Sequence, residues 1–255
     1  MRFLIKFSYD GTNYAGFQNQ PNLKTIQNEI ETAATIVNNN INTKITATGR
    51  TDKKVHAKCQ YAHLDIDVNI TPKKLKRALN SNLPADIHII DAYHVVENFH
   101  ARYNVISKTY KYYINVGEYN PLERNYVFQY NYNLNLSAMR QAIKKLIGEH
   151  DYRAFVTENI TKQNCVRKIF DAYIEEDKVD KNKYIITFIG NGFMRYQVRN
   201  MVGLLIKVGE NKLTANDVKT ILDSKSRKKN GATAPAEGLY LEKVEYEDLN
   251  KYIID

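Results

Sequence analysis

Cysteine is scarce in this sequence. Only Cys59 and Cys165 occur, far apart and with no second thiol or histidine at zinc spacing. Neither a disulfide framework nor a metal site is indicated, and a reducing compartment fits. Long apolar runs are missing too: the longest, near Met201 to Ile206, falls far short of the roughly 20 residues that cross a bilayer. The opening Met1-Arg2-Phe3-Leu4-Ile5-Lys6-Phe7 is too short and too interrupted for a signal peptide. The expected location is therefore the cytoplasm, with no membrane partner. Proline and glycine number only 5 and 11 and are scattered, and 43% of residues are apolar, so the chain reads as globular. A Gly-rich phosphate loop and a dinucleotide fingerprint are both absent.

Acidic residues are outnumbered, 28 against 37 basic, for a formal charge of +9. That balance suits a polyanion such as nucleic acid, although a general richness in Lys and Asn produces the same excess. The 19 Tyr and 9 Phe offer stacking faces, most of which the core will claim. With 255 residues the chain can bury a substantial core as one large domain or two small ones.

The periodicities predict strands over Arg2–Ser8, Lys44–Ala47, Lys58–Val68, Ile87–Val96, Lys108–Val116, Val166–Glu175, Tyr184–Ile189 and Leu239–Tyr246. Between them lie helices capped by Thr25, by Thr71 with Pro72 at the first position, by Ser137, and by Thr214 with Asp217 three residues on. A further helix over Arg195–Val208 carries Val198, Met201, Val202, Leu205 and Val208 on one apolar side. Lys73, Lys74, Lys76 and Arg77 read as a solvated face. The pattern breaks around Phe99–Asn104, which divides the chain into an N-terminal half, 1–102, and a C-terminal half, 103–255. Each half reads strand, helix, strand, strand with further helices, so the fold class is α+β with antiparallel sheets that could join.

The rest of the chain is organised around Thr48-Gly49-Arg50-Thr51-Asp52-Lys53-Lys54-Val55-His56-Ala57. Gly49 permits a tight bend, and Asp52 then sits on a strand-held loop, where reactive groups are commonly placed. The plainer alternative is a solvated hairpin turn, which Gly, Asp and Thr also favour. The Gly-Arg-Thr-Asp and Val-His-Ala segments resemble the signature loop of the TruA family of tRNA pseudouridine synthases. Further blocks match in order: Phe7 to Thr12 with Tyr14 to Gln18, Phe99 to Arg102, Lys108 to Tyr112, Val198 to Gly203, and Ala234 to Leu241. One departure stands out. The family pattern has Gly where Lys54 stands, and a lysine there is expected to avoid a positive φ, altering the loop's path or its meeting with RNA.

The resemblance implies the pseudouridine synthase fold: two α+β halves sharing a mixed, mainly antiparallel sheet with a central RNA-binding cleft. It implies isomerisation of uridine in the anticodon arm of tRNA, a homodimer whose two subunits contact the tRNA, and no cofactor. The reaction breaks the N1–C1′ bond, rotates the base and rejoins it through C5, which takes no redox step, phosphate donor or metal. Asp52 is then the nucleophilic or stabilising carboxylate. Arg199, matching the basic residue of the Val-Arg-Asn block, would oppose the rise in the Asp52 pKa that desolvation brings; its alternative is an ordinary surface arginine. Arg50, two residues from Asp52 and so on the same side of an extended chain, would fill the space of an extruded uridine or simply bind phosphate. Tyr110 would stack on the uracil and take or relay the C5 proton, whereas Tyr112 packs. His56 is expected to hold the loop by hydrogen bonding, and Asp65 and Asp67 to face solvent. The run Lys225 to Lys229 would grip phosphates or be a solvated loop. Two other functions fit the same residues: a non-catalytic RNA-binding protein on this fold, and a synthase retargeted to ribosomal RNA.

Overall fold

The computed structural model describes residues 1–157, 164–227 and 231–254. Two compact units emerge, one of Met1–Ile106 with Leu241–Asp255, the other Ser107–Tyr240.

The first unit is built on β1 (Arg2–Tyr9), β2 (Ile45–Ala47), β3 (His56–Asp65), β4 (Ile87–Val95) and the later part of β10 (Leu239–Tyr246). The order is β4-β1-β3-β10, with β2 on β3. β1 runs antiparallel to both neighbours, Ile5 facing Ala62 on β3 and Ala92 on β4. Its Phe3, Leu4, Ile5 and Phe7 are fully buried, so both faces of this central strand are covered, which is why it reads as a nearly unbroken apolar run. Two helices belong here, α1 (Ile26–Val37) and α2 (Pro72–Asn82). Thr25 caps α1 by accepting from Asn28 N–H, and Thr71 caps α2 by accepting from Lys74 N–H, with Pro72 opening the helix. Leu75 and Leu79 turn inward while Lys73, Lys74 and Arg77 are exposed, which is the solvated face expected of them.

The second unit contains β5 (Val105–Asn115), β6 (Phe128–Gln129), β7 (Gly148–Asp151), β8 (Val166–Glu176) and β9 (Lys183–Gly190) in the order β5-β9-β8-β7. β6 pairs parallel with β5, whereas the β5–β9, β9–β8 and β8–β7 pairs are antiparallel. Helices α3 (Leu136–Ile143), α4 (Gln197–Gly209) and α5 (Ala215–Ser224) complete it. The fold class is α+β with mainly antiparallel pairing, as the sequence indicated. Among the described residues no helix is long and apolar enough to cross a membrane.

Local expectations are corrected at α3 and α4. α3 is capped by Asn135, whose side chain accepts from Ala138 N–H at 3.0 Å, not by Ser137, which already lies inside the first turn. It ends at Ile143 in a short 3-10 turn, and Gly148 begins β7. α4 starts two residues later than its apolar spacing suggests, because Tyr196 adopts φ 63° and cannot extend the helix backward. Nor is α4 one-sided: of its thirteen residues only Arg199 and Lys207 are not buried.

Candidate active site

The loop between β2 and β3 is fastened along its length. Thr48 N–H donates to Tyr61 O at 2.9 Å, the Thr48 hydroxyl bonds Gln60 Oε1, and Gln60 Nε2 reaches back to Gly49 O at 3.1 Å. Beyond that, the backbone alternates. Arg50 is exposed, Thr51 is buried and Asp52 is half-buried. The Thr51 hydroxyl meets the Tyr9 phenol at 2.8 Å, and Thr51 O accepts from Phe17 N–H at 3.1 Å. Burial pushes the Tyr9 phenol far up, so it stays protonated and serves as a fixed polar anchor. Thr51 is thus a buried peg between the exposed Arg50 and the half-buried Asp52.

The exit of the loop is held as firmly. Val55 N–H donates to Asp52 O at 3.1 Å, closing a four-residue turn. The buried His56 accepts from Gly11 N–H through Nδ1 at 3.1 Å, beside Asp10 Oδ1. That is the loop-holding role expected of it. Gly11 is required by this approach, since a Cβ there would stand 2.1 Å from Val55 O. Lys54 overturns its expectation: it takes φ 66°. The bonds on both sides hold the third position of this closed turn in the left-handed region, so the lysine bears the strain that a glycine would escape.

Tyr110 and Arg199 belong to the second unit. Tyr110 lies on β5 opposite Phe188 of β9, nearly buried, with Phe193 edge-on at 5.2 Å between ring centres. Tyr112, two residues along, is fully buried, and its hydroxyl donates to Pro235 O at 2.9 Å, which makes it a packing residue as expected. Arg199 is half-buried in the first turn of α4. Its Nε donates to Ala234 O at 2.8 Å and its backbone O accepts from Ala234 N–H at 3.1 Å. The guanidinium lies 5.3 Å from the centre of the Tyr196 ring, a cation–π distance. Burial raises the Tyr112 phenol well above its ordinary value; the Glu237 charge adds to this and the Arg199 charge opposes it.

The structure therefore sets Arg50 and Asp52 on one loop of the first unit, and Tyr110 and Arg199 in the second. Sequence reasoning missed the fasteners: Tyr9, Gln60 and Thr51 around the loop, and Tyr196 and Ala234 around Arg199. Tyr9, Thr51 and Ala234 lay inside the quoted blocks, but nothing local says which distant group each one meets. Asp65 and Asp67 are exposed, and Arg2 pairs with Asp65 at 2.9 Å. Of the basic run, Lys225 lies 4.0 Å from Asp151 and Arg227 donates to Gly231 O, whereas Lys228 and Lys229 lie outside the described residues.

A family model described as tRNA pseudouridine synthase matches residues 5–104 and 142–247. The tRNA pseudouridine synthase A of Streptococcus agalactiae is 42% identical over 248 residues, covering 97% of this chain and 96% of that protein. The proteins of the same name from Streptococcus uberis and Limosilactobacillus reuteri are also 42% identical, covering 97% and 96% of this chain and 99% and 96% of theirs.

Proposed function

This chain belongs to the tRNA pseudouridine synthase family, and from that premise we propose that it converts uridine to pseudouridine in the anticodon arm of tRNA, with Asp52 as the nucleophile. The observation that carries the reading is the Asp52 loop. A carboxylate that must meet a single carbon of an extruded nucleotide gains most from a backbone that does not move, because misplacement by about 1 Å can cost on the order of 100-fold in rate. Hydrogen bonds from Tyr61, Gln60, Tyr9, Phe17 and Gly11 supply that fixity on both sides of Asp52.

In this reading the remaining residues divide the work. Asp52 forms the covalent bond that splits the exchange of N1 for C5 into two easier steps. Arg199, pinned by Ala234, supplies a permanent positive charge against the cost of charging a carboxylate out of water. Arg50 offsets the few kcal/mol of base extrusion by filling the vacated stack or holding a phosphate. Tyr110 stacks on the uracil and takes or relays the C5 proton. The enzyme works in the cytoplasm as a homodimer, in keeping with the same resemblance.

Tritium release from uridine-5-labelled tRNA tests the assignment. The wild type releases label, while Asp52→Asn binds the tRNA and releases none; equal release by both would remove Asp52 from the chemistry.

A further inference from the structure

Tyr103 is 79% exposed, and exposure by itself means little, since single apolar side chains are common on protein surfaces. What sets it apart is how it is held. Its ring stacks on His100 with centres 4.2 Å apart and planes 25° from parallel. His100 in turn packs edge-on against His63 at 4.8 Å. The three rings form a column that begins in the core, where His63 is buried on β3, and ends in water at Tyr103.

The turn carrying this column is locked. His100 Nδ1 accepts from Arg102 N–H at 3.2 Å and from Tyr103 N–H at 3.3 Å. His100 N–H donates to Asn104 Oδ1 at 2.8 Å, and Asn104 N–H returns to His100 O at 3.1 Å. His63 Nδ1 accepts from Ala101 N–H at 3.1 Å. These bonds put the proton of both imidazoles on Nε2. Burial, together with the charges of Arg2 and His100 and against that of Asp65, lowers the His63 pKa from 6.5 to about 4, so the inner ring is neutral at neutral pH. A tyrosine on a flexible loop would lose rotamer freedom on binding anything, but this one is already ordered. One face is covered by His100 and the other meets solvent. Arg102, next in the chain, is exposed as well.

We propose that Tyr103 and Arg102 form a nucleotide-binding platform separate from the Asp52 loop, on which an unpaired base of the tRNA continues the ring column while Arg102 holds the adjoining phosphate. Every base has a π face, so a flat aromatic takes any of the four without hydrogen-bond readout. The neighbouring cation favours a ligand that carries one negative charge per unpaired base, which an apolar protein surface does not. The site rests on the reading of tRNA as substrate, and would serve to seat the tRNA by a nucleotide outside its helices.

Direct binding of unmodified tRNA transcript to the full-length protein tests this. Tyr103→Leu should weaken affinity by roughly 5- to 150-fold, the range found when one stacking aromatic is removed, while Tyr103→Phe stays within about twofold because the ring face is kept. Arg102→Gln should bind more weakly, with the slope of log K against log salt smaller by about 1. A blunt RNA duplex, which offers no unpaired base, should bind wild type and Tyr103→Leu alike. Unchanged tRNA affinity in Tyr103→Leu, or equal losses in Leu and Phe, would overturn the platform. So would conversion of a dimer to a monomer by Tyr103→Leu, which would assign the ring to a second copy of the chain. A protein that forms no pseudouridine yet loses tRNA affinity with Tyr103→Leu would sink the enzymatic reading and leave the platform standing.

Discussion

Lys54 occupies a backbone conformation that costs an L-residue with a Cβ roughly 1–2 kcal/mol, and it does so two residues from Asp52, the carboxylate proposed for the chemistry. The turn around it is fixed by Val55 N–H on Asp52 O and by His56 on Gly11, so relaxing φ would break bonds worth more than the strain. Glycine at this position would escape the strain but would give the unfolded chain more freedom, a loss of about 0.4–1 kcal/mol. Lys54→Gly is therefore expected to stabilise the protein by about 0.5 kcal/mol, and Lys54→Val, branched at Cβ, to destabilise it by more than that. Urea unfolding midpoints measure both. A lower midpoint for Lys54→Gly would mean that the lysine side chain, not the turn, is what holds the loop there.

At the scale of the element, α4 is the unusual one. Being buried nearly all round, it cannot slide to accommodate a change on any face. Gly203 lies at its closest approach, where an added Cβ would stand 2.1 Å from Ala232 O, and that neighbour is backbone. Gly203→Ala must therefore push the helix and the 232–234 segment apart. Overpacking of this kind costs about 1–3 kcal/mol. The displacement also reaches Arg199, whose Nε and backbone O both bond Ala234. Gly203→Ala should thus lower the urea midpoint and slow pseudouridine formation together; full activity at a lowered midpoint would show that Arg199 does not depend on this packing. α5 makes a contrast, since Thr214 and Asp217 close a capping box within four residues and owe nothing to distant chain.

At the scale of the whole molecule, a formal charge of +9 and a polyanionic substrate belong together. The proposed homodimer has a direct consequence: sedimentation at micromolar concentration should give twice the mass of one chain, and the ratio of tRNA to protein at saturation should be set by the dimer. A monomer retaining full activity would contradict it. The chain also leaves the first unit near Ile106 and returns to it only at Leu241, so a strand far downstream in the chain completes the first unit. Contacts of that sequence separation are slow to form.

The sequence by itself determined whatever depends on neighbours along the chain. Threonine caps at Thr25, Thr71 and Thr214 could be read because a cap and its partner lie within three residues, and the long strands because alternation is local. β6 and β7 could not, because Phe128–Gln129 and Gly148–Asp151 hold no apolar alternation, and Ser137 reads as a cap by residue type alone, whereas the backbone puts Asn135 in that place. The four residues proposed for the site were singled out only through their sequence blocks; what surrounds them was not legible. Tertiary structure alone decided that Lys54 bears a positive φ, that Tyr9 and Gln60 pin the loop, and that His63, His100 and Tyr103 stack. These rest on groups far apart in sequence, Tyr9 with Thr51 and His63 with His100 among them, and a contact of that kind leaves no period in the chain to be read.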